Sequence, residues 1–589
     1  MFGRYSTFAI ESLTQNINIK ITTMYKLKET ILKTRTVLML LAVIFLAFSC
    51  KKEDVSLPDN SSYEWKTNNQ QMPPSRSENH SNNGSTEDVA IVLGDTLSDP
   101  YKLENMQKAY NNINNGNAPI SSVKANYRYV RVLPADQDEL NAIEADTTLL
   151  LFDYPLHYEI TVAGTYYHDP TVADSTMTWL YSVVPMNYQF PTGVNEELIY
   201  YVYIPPTESK GDFYDQLEEE AYRITGYEGE DNGSKAARGS WWTPSAKIRA
   251  WDDIVQGYIP LEGVKVLARF LTKTAKGITD GNGECEVDKD FRYPVYYSIK
   301  WESNVWDIRN GALGQAYYNV NTSMSTPWNF YIGNNGSSIL YATVHRAAYK
   351  FCYGNRLGLK RPILSYGKTK IAVYDKTAWW GSGCCWGTWS LFGIIPDINI
   401  ALPHSTCTAE VFGTTIHELG HQSHLLFIGK GTYIQLAKEI HESWAAAVEC
   451  ALTNHHYNNE LSSYGTRCQQ YNQEFSYQDW KPKDPPQKTN CYTPIFIDLI
   501  DNYNQRNGGN CGYYPIVSDS CPYSFSPNNN RPNDVISGYN ITYIQNNVLP
   551  DAYGLSSLCS SLKAHKIAGV TDQMIDNHMA PYWNRIYTR

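Results

Sequence analysis

The spacing of apolar residues divides the chain into a β-prone N-terminal part and a helix-rich C-terminal part. Between residues 89 and 245, short β-prone runs alternate with polar turns, which predicts a mostly β domain. The expected strands cover residues 127–133, 149–152, 158–162 and 198–204, and one helix is expected near 101–114. A second β-rich module is expected at 246–302, where a hairpin turn contains Gly281 and Gly283.

Residues 303–589 predict an α+β domain whose C-terminal half is mostly helical. A helix from 337 to about 351 is expected before strands at 370–374 and 394–402. Residues 397–401 are expected to form a sheet edge, where an extended peptide can add a strand. Further helices are expected around 411–426, after 441, at 494–501 and between 540 and 588.

The sequence His417-Glu418-Leu419-Gly420-His421 lies within the helix expected around 411–426. It places two imidazoles at i and i+4, on one helical face, where they can hold a zinc ion. Gly420 has no side chain and lets other groups approach that face closely. Seven of the 13 histidines of the chain fall within residues 404–456, namely His404, His417, His421, His424, His441, His455 and His456. The sequence therefore predicts a metal site here.

A catalytic zinc usually takes three protein ligands and keeps one position for water, so a third donor is needed outside the motif. Glu442 is the expected ligand, because it lies on a second helix after a loop containing Gly429 and Gly431. Two facing helices can converge on one ion. Other donors lie on the same or neighbouring turns, and the alternatives are Glu439, His441, Glu449 and His424.

These residues resemble the gluzincin zinc metallopeptidases, in which a glutamate from a second helix is often followed by a small residue, an aromatic residue and an alanine. Glu442-Ser443-Trp444-Ala445 matches that pattern. The spacing is most similar to that of the M60 or enhancin-like group and of related Bacteroidota lipoproteins. The metzincin pattern is excluded, because His424 and Phe427 stand where a glycine and a histidine are required. The resemblance implies a zincin-like catalytic domain at 303–589, with host or mucin-type glycoproteins as substrates.

The residue types predict peptide hydrolysis with one zinc ion per chain. Two imidazoles and one carboxylate leave zinc enough positive charge to lower the pKa of bound water toward about 7. Glu418 is expected to take a proton from that water and to deliver it to the leaving amine, as in an endopeptidase.

Residues around the motif could assist this reaction. Glu449 could accept a hydrogen bond from a ligand imidazole, although an exposed surface glutamate is an equal alternative. His424 could contact the substrate or an oxyanion, or bond to a backbone carbonyl instead. The downstream candidates for steadying an oxyanion are His441, His455, His456, Tyr457 and Tyr464.

The module at 246–302 resembles the β-sandwich modules related to transthyretin and carboxypeptidase regulatory domains. The resemblance lies in the run 260–266 and in the turn Thr279-Asp280-Gly281-Asn282-Gly283. The resemblance implies a module that binds a ligand or separates other domains and has no catalytic role.

The N-terminal residues predict export and lipid attachment. Basic residues precede a twelve-residue apolar run that ends at Ala47-Phe48-Ser49-Cys50, so residues 1–50 form a signal peptide. The end of this run resembles the bacterial lipobox, which makes Cys50 the expected lipid attachment site and membrane contact. Lys51-Lys52-Glu53-Asp54 resembles the surface-export signal of Bacteroidota lipoproteins. We expect an outer-membrane lipoprotein, at the cell surface or on the periplasmic face, with a disordered tether at 51–88.

The charge and the composition of the chain limit the classes of partner that it can bind. The net charge of -11 over 589 residues, with no basic patch, argues against nucleic-acid binding. The expected partner is a protein or glycoprotein substrate, and the sequence does not determine the oligomeric state. An odd number of the 12 cysteines follows Cys50, so at least one is expected outside any disulfide. The competing function is a non-catalytic glycan- or protein-binding surface lipoprotein with a vestigial zincin domain.

Overall fold

Sheets predominate in the N-terminal half of the described chain, and helices predominate in its C-terminal half. The computed structural model describes residues 89–115, 123–172, 177–206, 212–227, 241–312, 314–377, 382–384, 396–472, 493–507, 509–511, 523–525 and 533–586. The predicted signal peptide 1–50, with Cys50, and the predicted tether 51–88 lie outside the described residues. All described residues belong to one compact unit. The mixture of sheets and helices is consistent with a multidomain architecture.

Residues 89–227 form two small antiparallel sheets and three helices. The strands are β1 (Val92–Thr96), β2 (Tyr127–Leu133), β3 (Tyr158–Val162), β4 (Leu180–Pro185) and β5 (Asn195–Val202). The helices are α1 (Leu103–Ile113), α2 (Gln137–Glu144) and α3 (Asp212–Ile224). Strand β2 lies between β4 and β5, and β1 pairs with β3. The predicted helix near 101–114 and the predicted strands at 127–133, 158–162 and 198–204 are confirmed by α1, β2, β3 and β5.

The predicted strand at 149–152 is wrong. Within this run, Phe152 forms an isolated β-bridge with Tyr181 and belongs to no strand. Leu151 packs into a small apolar cluster with Val132 and Leu140. A short apolar run can be buried in this way without a partner strand, and its pattern alone does not separate the two cases.

Residues 245–332 form two four-stranded sheets. The strands are β6 (Ser245–Asp252), β7 (Gly257–Pro260), β8 (Lys265–Phe270), β9 (Lys273–Ile278), β10 (Glu284–Glu286), β11 (Tyr296–Lys300), β14 (Tyr317–Asn319) and β15 (Trp328–Ile332). One sheet has the order β10-β6-β15, with β7 also on β6, and the other has the order β14-β11-β8-β9. Because β14 and β15 belong to these sheets, strand pairing crosses the predicted module boundary at residue 302.

The turn between β9 and β10 requires a glycine at position 283. The amide of Gly283 donates to the carbonyl oxygen of Asp280 at 2.9 Å, and its φ is +76°. A Cβ atom at this position would lie 2.4 Å from the carbonyl oxygen of Ile248. The left-handed backbone and the close approach both exclude a side chain.

A five-stranded sheet begins the C-terminal half. Its strands are β12 (Trp306–Asn310), β13 (Gly314–Gln315), β16 (Thr369–Tyr374), β17 (Gly383–Cys384) and β18 (Ile398–Ala401), in the order β13-β12-β16-β18-β17. The three middle strands are parallel and align Ile308, Ile371 and Ile398 in one buried row. This row belongs to the large core that also contains Val411 and Ile416 of the motif helix.

The prediction that residues 397–401 form the sheet edge is wrong. Strand β17 covers β18 through the pairs Gly383 with Asn399 and Cys384 with Ile398. The amide of Ala401 donates to the Ser382 hydroxyl at 3.1 Å. A two-residue strand carries too little pattern to be found from sequence, so among the described residues the outer strand on this side is β17.

A two-stranded antiparallel sheet pairs β19 (Gly509–Cys511) with β20 (Tyr523–Phe525), and the other elements of this part are mainly helices. The helices are α4 (Ser337–Cys352), α5 (Thr408–Ile428), α6 (Lys430–Tyr433), α7 (Lys438–His455), α8 (Thr466–Gln469), α9 (Ile497–Ile500), α10 (Ile541–Tyr543), α11 (Leu555–Ala564) and α12 (Asp572–Ile586). The helices predicted near 337–351, 411–426, after 441 and at 540–588 are confirmed, whereas the run 494–501 forms the short α9. Among the described helices, none combines the length and the hydrophobicity needed to cross a membrane.

Most of the described cysteines are outside disulfides. Cys384 of β17 is disulfide-bonded. Six other described cysteines are thiols outside any disulfide, namely Cys285, Cys352, Cys407, Cys450, Cys468 and Cys559.

The loop after β6 holds the N-terminus of α5 in a buried polar network. The carboxylate of Asp253 accepts from the amide of Thr408 at 2.8 Å, and the Thr408 hydroxyl accepts from the amide of Asp253 at 2.8 Å. The neighbouring Asp252 pairs with Arg346 of α4 at 2.7 Å and accepts from the Tyr457 hydroxyl at 2.9 Å. These contacts fix the helix that carries the histidine motif.

Removing the carboxylate of Asp252 is expected to destabilise the protein strongly. Burial raises the pKa of Asp252, but Arg346 and the hydrogen bonds outweigh burial and hold that pKa below its usual value. In Asp252→Ala, the buried guanidinium of Arg346 loses its partner, so we expect the free energy of unfolding to fall by about 3–5 kcal/mol. Urea denaturation measures this change. The exposed ion pair of Lys566 with Asp572 provides the control, since Asp572→Ala should leave the free energy of unfolding close to that of wild type. Equal losses in the two variants would contradict the prediction.

Candidate metal centre

Helices α5 and α7 pack side by side, and Gly420 lies at their contact. A Cβ atom at position 420 would lie 3.4 Å from side-chain atoms of Val448 and 3.5 Å from the Cα of Ala445. These are ordinary van der Waals distances, so a methyl group at position 420 would already contact α7, and glycine leaves the two helices close together. Gly420, which was expected to permit a close approach to the metal face, permits the approach of α7.

This packing brings three buried side chains together. His417, His421 and Glu442 each direct one donor atom to a common point, and these atoms all lie within 4.8 Å of one another. The Oε2 atom of Glu442 is 3.5 Å from Nε2 of His417 and 3.3 Å from Nε2 of His421. All three side chains are at most 6 % exposed. This group could hold a metal ion.

The distances agree with a tetrahedral ion. Metal–nitrogen and metal–oxygen bonds of about 2.0–2.2 Å place neighbouring donors of a tetrahedron about 3.3–3.6 Å apart. Both measured separations from Glu442 fall in that range. A direct hydrogen bond between these groups would be shorter, with a mode near 2.9–3.0 Å. The two separations from Glu442 therefore match the spacing of ligands around an ion.

Each histidine of the group makes a second contact through Nδ1. Oε2 of Glu449, on α7, lies 3.0 Å from Nδ1 of His417. The Tyr433 hydroxyl, on α6, lies 3.1 Å from Nδ1 of His421. With Nδ1 acting as the donor in both rings, Nε2 keeps its lone pair for a metal. The structure places Glu449 at the ligand imidazole that sequence reasoning proposed. It also places Tyr433, which sequence reasoning missed, because an isolated tyrosine in a linker carries no recognisable pattern.

The metal-free site is electrostatically prepared for a cation. Burial lowers the pKa of His417, but Glu442 and Glu449 outweigh burial and raise that pKa to about 10. Burial raises the pKa of Glu442, but the charges of His421 and His417 hold it well below its usual value. Without a metal, His417 therefore carries a proton between the carboxylates of Glu442 and Glu449. A divalent ion would neutralise the same negative charge.

Glu418 lies on α5 beside the first histidine of the group. It is 5 % exposed, and its carboxylate acts electrostatically on His417. A buried carboxylate next to two ligand imidazoles is where a general base for metal-assisted hydrolysis is needed.

The rival ligands lie beside the site and outside the three-residue group. Nδ1 of His441 is 3.6 Å from the second carboxylate oxygen of Glu442, and its ring lies against His421 with centroids 5.5 Å apart. His424 is fully buried, with its ring against Tyr433 and Trp444. Burial lowers the pKa of His424 well below its usual value and that of His441 to about 4, so both are neutral near pH 7. Glu439 is half-buried on the first turn of α7.

The more distant oxyanion candidates are not at the site. His455 ends α7, about 20 Å along the helix axis from Glu442 at 1.5 Å per residue. Its Nδ1 accepts from Lys350 at 3.1 Å. His456 bonds Glu460 at 2.8 Å, and Tyr457 belongs to the network of Asp252. Tyr464 is 44 % exposed at the end of the short helix Ser462–Tyr464. Of the five candidates, the structure brings His441 into contact with a residue of the group.

Comparisons with known proteins find no relative of this chain. No family model, no curated protein and no solved structure matches the chain. The functional argument therefore rests on the residues of the site.

Proposed function

We propose that the protein is a zinc-dependent peptidase of the gluzincin type, which hydrolyses peptide bonds of extracellular proteins or glycoproteins. The observation that carries this proposal is the buried group His417, His421 and Glu442, in which the Oε2 atom of Glu442 lies at tetrahedral ligand spacing from both imidazoles. Glu418 of the same motif supplies a carboxylate next to the group.

The donor set favours zinc. Two imidazoles and one carboxylate are the ligands of catalytic zinc sites with three protein donors, whereas calcium and magnesium take oxygen ligands almost exclusively. The engaged Nδ1 atoms of His417 and His421 add the outer contacts that zinc-ligating histidines usually have. We therefore propose one zinc ion per chain at this site.

Zinc, when bound, polarises the scissile carbonyl and lowers the pKa of water. Glu418 then takes a proton from the attacking water and transfers it to the leaving amine. Glu449 and Tyr433 hold the ligand imidazoles in orientation. His441 lies against His421 with 19 % of its side chain exposed, and this position favours it as the donor to the developing oxyanion.

The location and the substrate follow from the N-terminal sequence and from the family resemblance. We propose a lipid anchor at Cys50 and an outer-membrane location, with extracellular proteins or mucin-type glycoproteins as substrates. The experiment that tests the function incubates zinc-loaded protein with a mixed peptide library and with a mucin-type glycoprotein, and mass spectrometry detects cleavage. New peptide termini that disappear with a chelator support the peptidase. Zinc binding and glycoprotein binding without cleavage would support a non-catalytic lipoprotein with a vestigial zincin domain.

Zinc binding is expected to release protons. Because the pKa of His417 is about 10 in the metal-free site, this imidazole carries a proton near pH 7.5 that a metal must displace. Zinc affinity should therefore rise with pH up to about 10. Titration calorimetry in buffers of different ionisation enthalpy measures the release, and we expect about one proton per zinc at pH 7.5. Binding without proton release would contradict the protonation state proposed for His417.

The proton on His417 also affects the stability of the metal-free fold, which should fall as the pH rises. A histidine pKa raised above its ordinary value of 6.5 contributes stability below pH 6.5, and this contribution is lost as the pH rises toward 10. The metal-free protein should therefore melt at a lower temperature at about pH 9 than at about pH 6, and thermal melts of the metal-free form at the two pH values check this.

A further inference from the structure

Two different kinds of side chain hold the two histidines of the group. His417 bonds Glu449, a fully buried carboxylate on α7, the helix that also supplies Glu442. His421 bonds a neutral phenol, Tyr433, on the short helix α6 between α5 and α7. The orientation of His421 therefore depends on a segment that supplies no ligand itself.

Packing on both sides fixes the ring of Tyr433. It meets His424 of α5 edge-on, with ring centroids 5.4 Å apart, and it meets His441 of α7 at 5.6 Å. His424 is fully buried, and neither of its ring nitrogens has a hydrogen-bond partner among the described residues. The neutral ring of His424 thus packs against Tyr433 and makes no hydrogen bond of its own there. The ring position of Tyr433 consequently does not depend on its hydroxyl.

Both ends of the linker are also fixed. Gly429 ends α5 with a φ of +82°, a left-handed conformation that suits glycine. At the other end, the amide of Ala437 donates to the carbonyl oxygen of Tyr553 at 2.7 Å. The segment from 429 to 437 therefore presents the Tyr433 hydroxyl to His421 from a defined backbone.

We propose that Tyr433 is a positioning residue for the metal centre: its hydroxyl accepts the Nδ1 hydrogen of His421 and directs Nε2 of that ring to the metal. This inference rests on the proposed zinc site and adds a residue that the HExxH motif and the ligand glutamate do not include. Without the hydroxyl, the buried N–H of His421 loses its acceptor and the ring can turn. Loss of such an outer contact typically lowers metal affinity by about 10–100-fold.

The test compares full-length wild type with Tyr433→Phe and Tyr553→Phe. Tyr433→Phe retains the ring that packs on His424 and His441 and removes the hydroxyl alone. Tyr553→Phe removes the hydroxyl of a 44 % exposed tyrosine whose backbone holds the same linker. Zinc affinity is measured by competition with a chromophoric chelator. The cobalt-substituted proteins give absorption spectra that report ligand geometry, and thermal melts of the metal-free proteins report the fold.

We expect Tyr433→Phe to bind zinc about 10–100-fold more weakly and to show an altered cobalt spectrum, while its metal-free form still folds and melts cooperatively, with at most the loss of stability expected for one unpaired buried N–H. Tyr553→Phe should match wild type in all three measurements. Wild-type affinity and spectrum in Tyr433→Phe would overturn the role of Tyr433 and leave the peptidase proposal standing. A weaker affinity that arises only from a lower metal-free melting temperature would also overturn it. If wild type binds no zinc, the metal site fails, and this inference fails with it.

Discussion

Replacing Glu418 with glutamine is expected to abolish most peptide hydrolysis while the protein keeps its zinc. Glutamine has nearly the same shape as glutamate but cannot take a proton from water, so the rate should fall by about 10²–10⁴-fold, the usual contribution of a general base. Glu418 is not a member of the ligand group, so the metal content should stay at about one zinc per chain. Cleavage rates on the best peptide of the library and elemental mass spectrometry measure the two quantities.

Glu439→Gln is the matched control. Glu439 is half-buried on the first turn of α7, one turn before Glu442, and it is outside the ligand group. The same change of charge there should leave the rate within about twofold of wild type, because Glu439 is outside the ligand group and partly exposed to solvent, which screens its charge. A Glu418→Gln protein with the wild-type rate would exclude Glu418 as the base. A parallel loss of rate in both variants would point to the charge of the region as the cause.

Replacing Glu442 with alanine is expected to remove the metal. Glu442 supplies the one carboxylate of the group, it is fully buried, and its Oε2 atom faces both ligand imidazoles. Without it, two histidines on one helix must hold the ion alone. We expect affinity to fall by more than the 10–100-fold that outer contacts contribute, so that purified protein carries almost no zinc. Peptide cleavage should disappear with the metal.

Thermal stability separates metal loss from unfolding. Zinc at about 100 times its dissociation constant stabilises a folded protein by about 2.7 kcal/mol, so added zinc should raise the melting temperature of wild type and leave that of Glu442→Ala unchanged. Glu439→Ala should respond like wild type, since Glu439 is the nearest rival carboxylate. Zinc retained by Glu442→Ala and lost by Glu439→Ala would reassign the third ligand.

The site depends on parts of the chain far from the motif. The loop after β6 caps α5 through Asp253, and Asp252 connects that loop to Arg346 of α4 and to Tyr457 after α7. The guanidinium of Arg346 also lies over the ring of Phe412 on α5, 5.2 Å from its centroid. The β-rich region thus contributes directly to the position of the motif helix, and we expect it to be required for folding of the helical part.

The sequence by itself determined the ligand motif and the helices that carry it. His417 and His421 share a helical face because of their spacing, and apolar periodicity places that face in the core. The buried group of the structure includes the glutamate expected from the second helix. Local periodicity is sufficient here, since each of these features lies within one helix or in two consecutive ones.

Only the tertiary structure decided how the site is completed. Helix packing brought Glu449 to His417 and Tyr433 to His421. It left His455 and His456 at the far end of α7. Strand pairing covered β18 with the two-residue strand β17. It also excluded the strand predicted at 149–152 and joined strands across residue 302 in common sheets. These results depend on which elements pack together, because pairing and burial between distant segments stabilise arrangements that leave no periodic pattern in either segment.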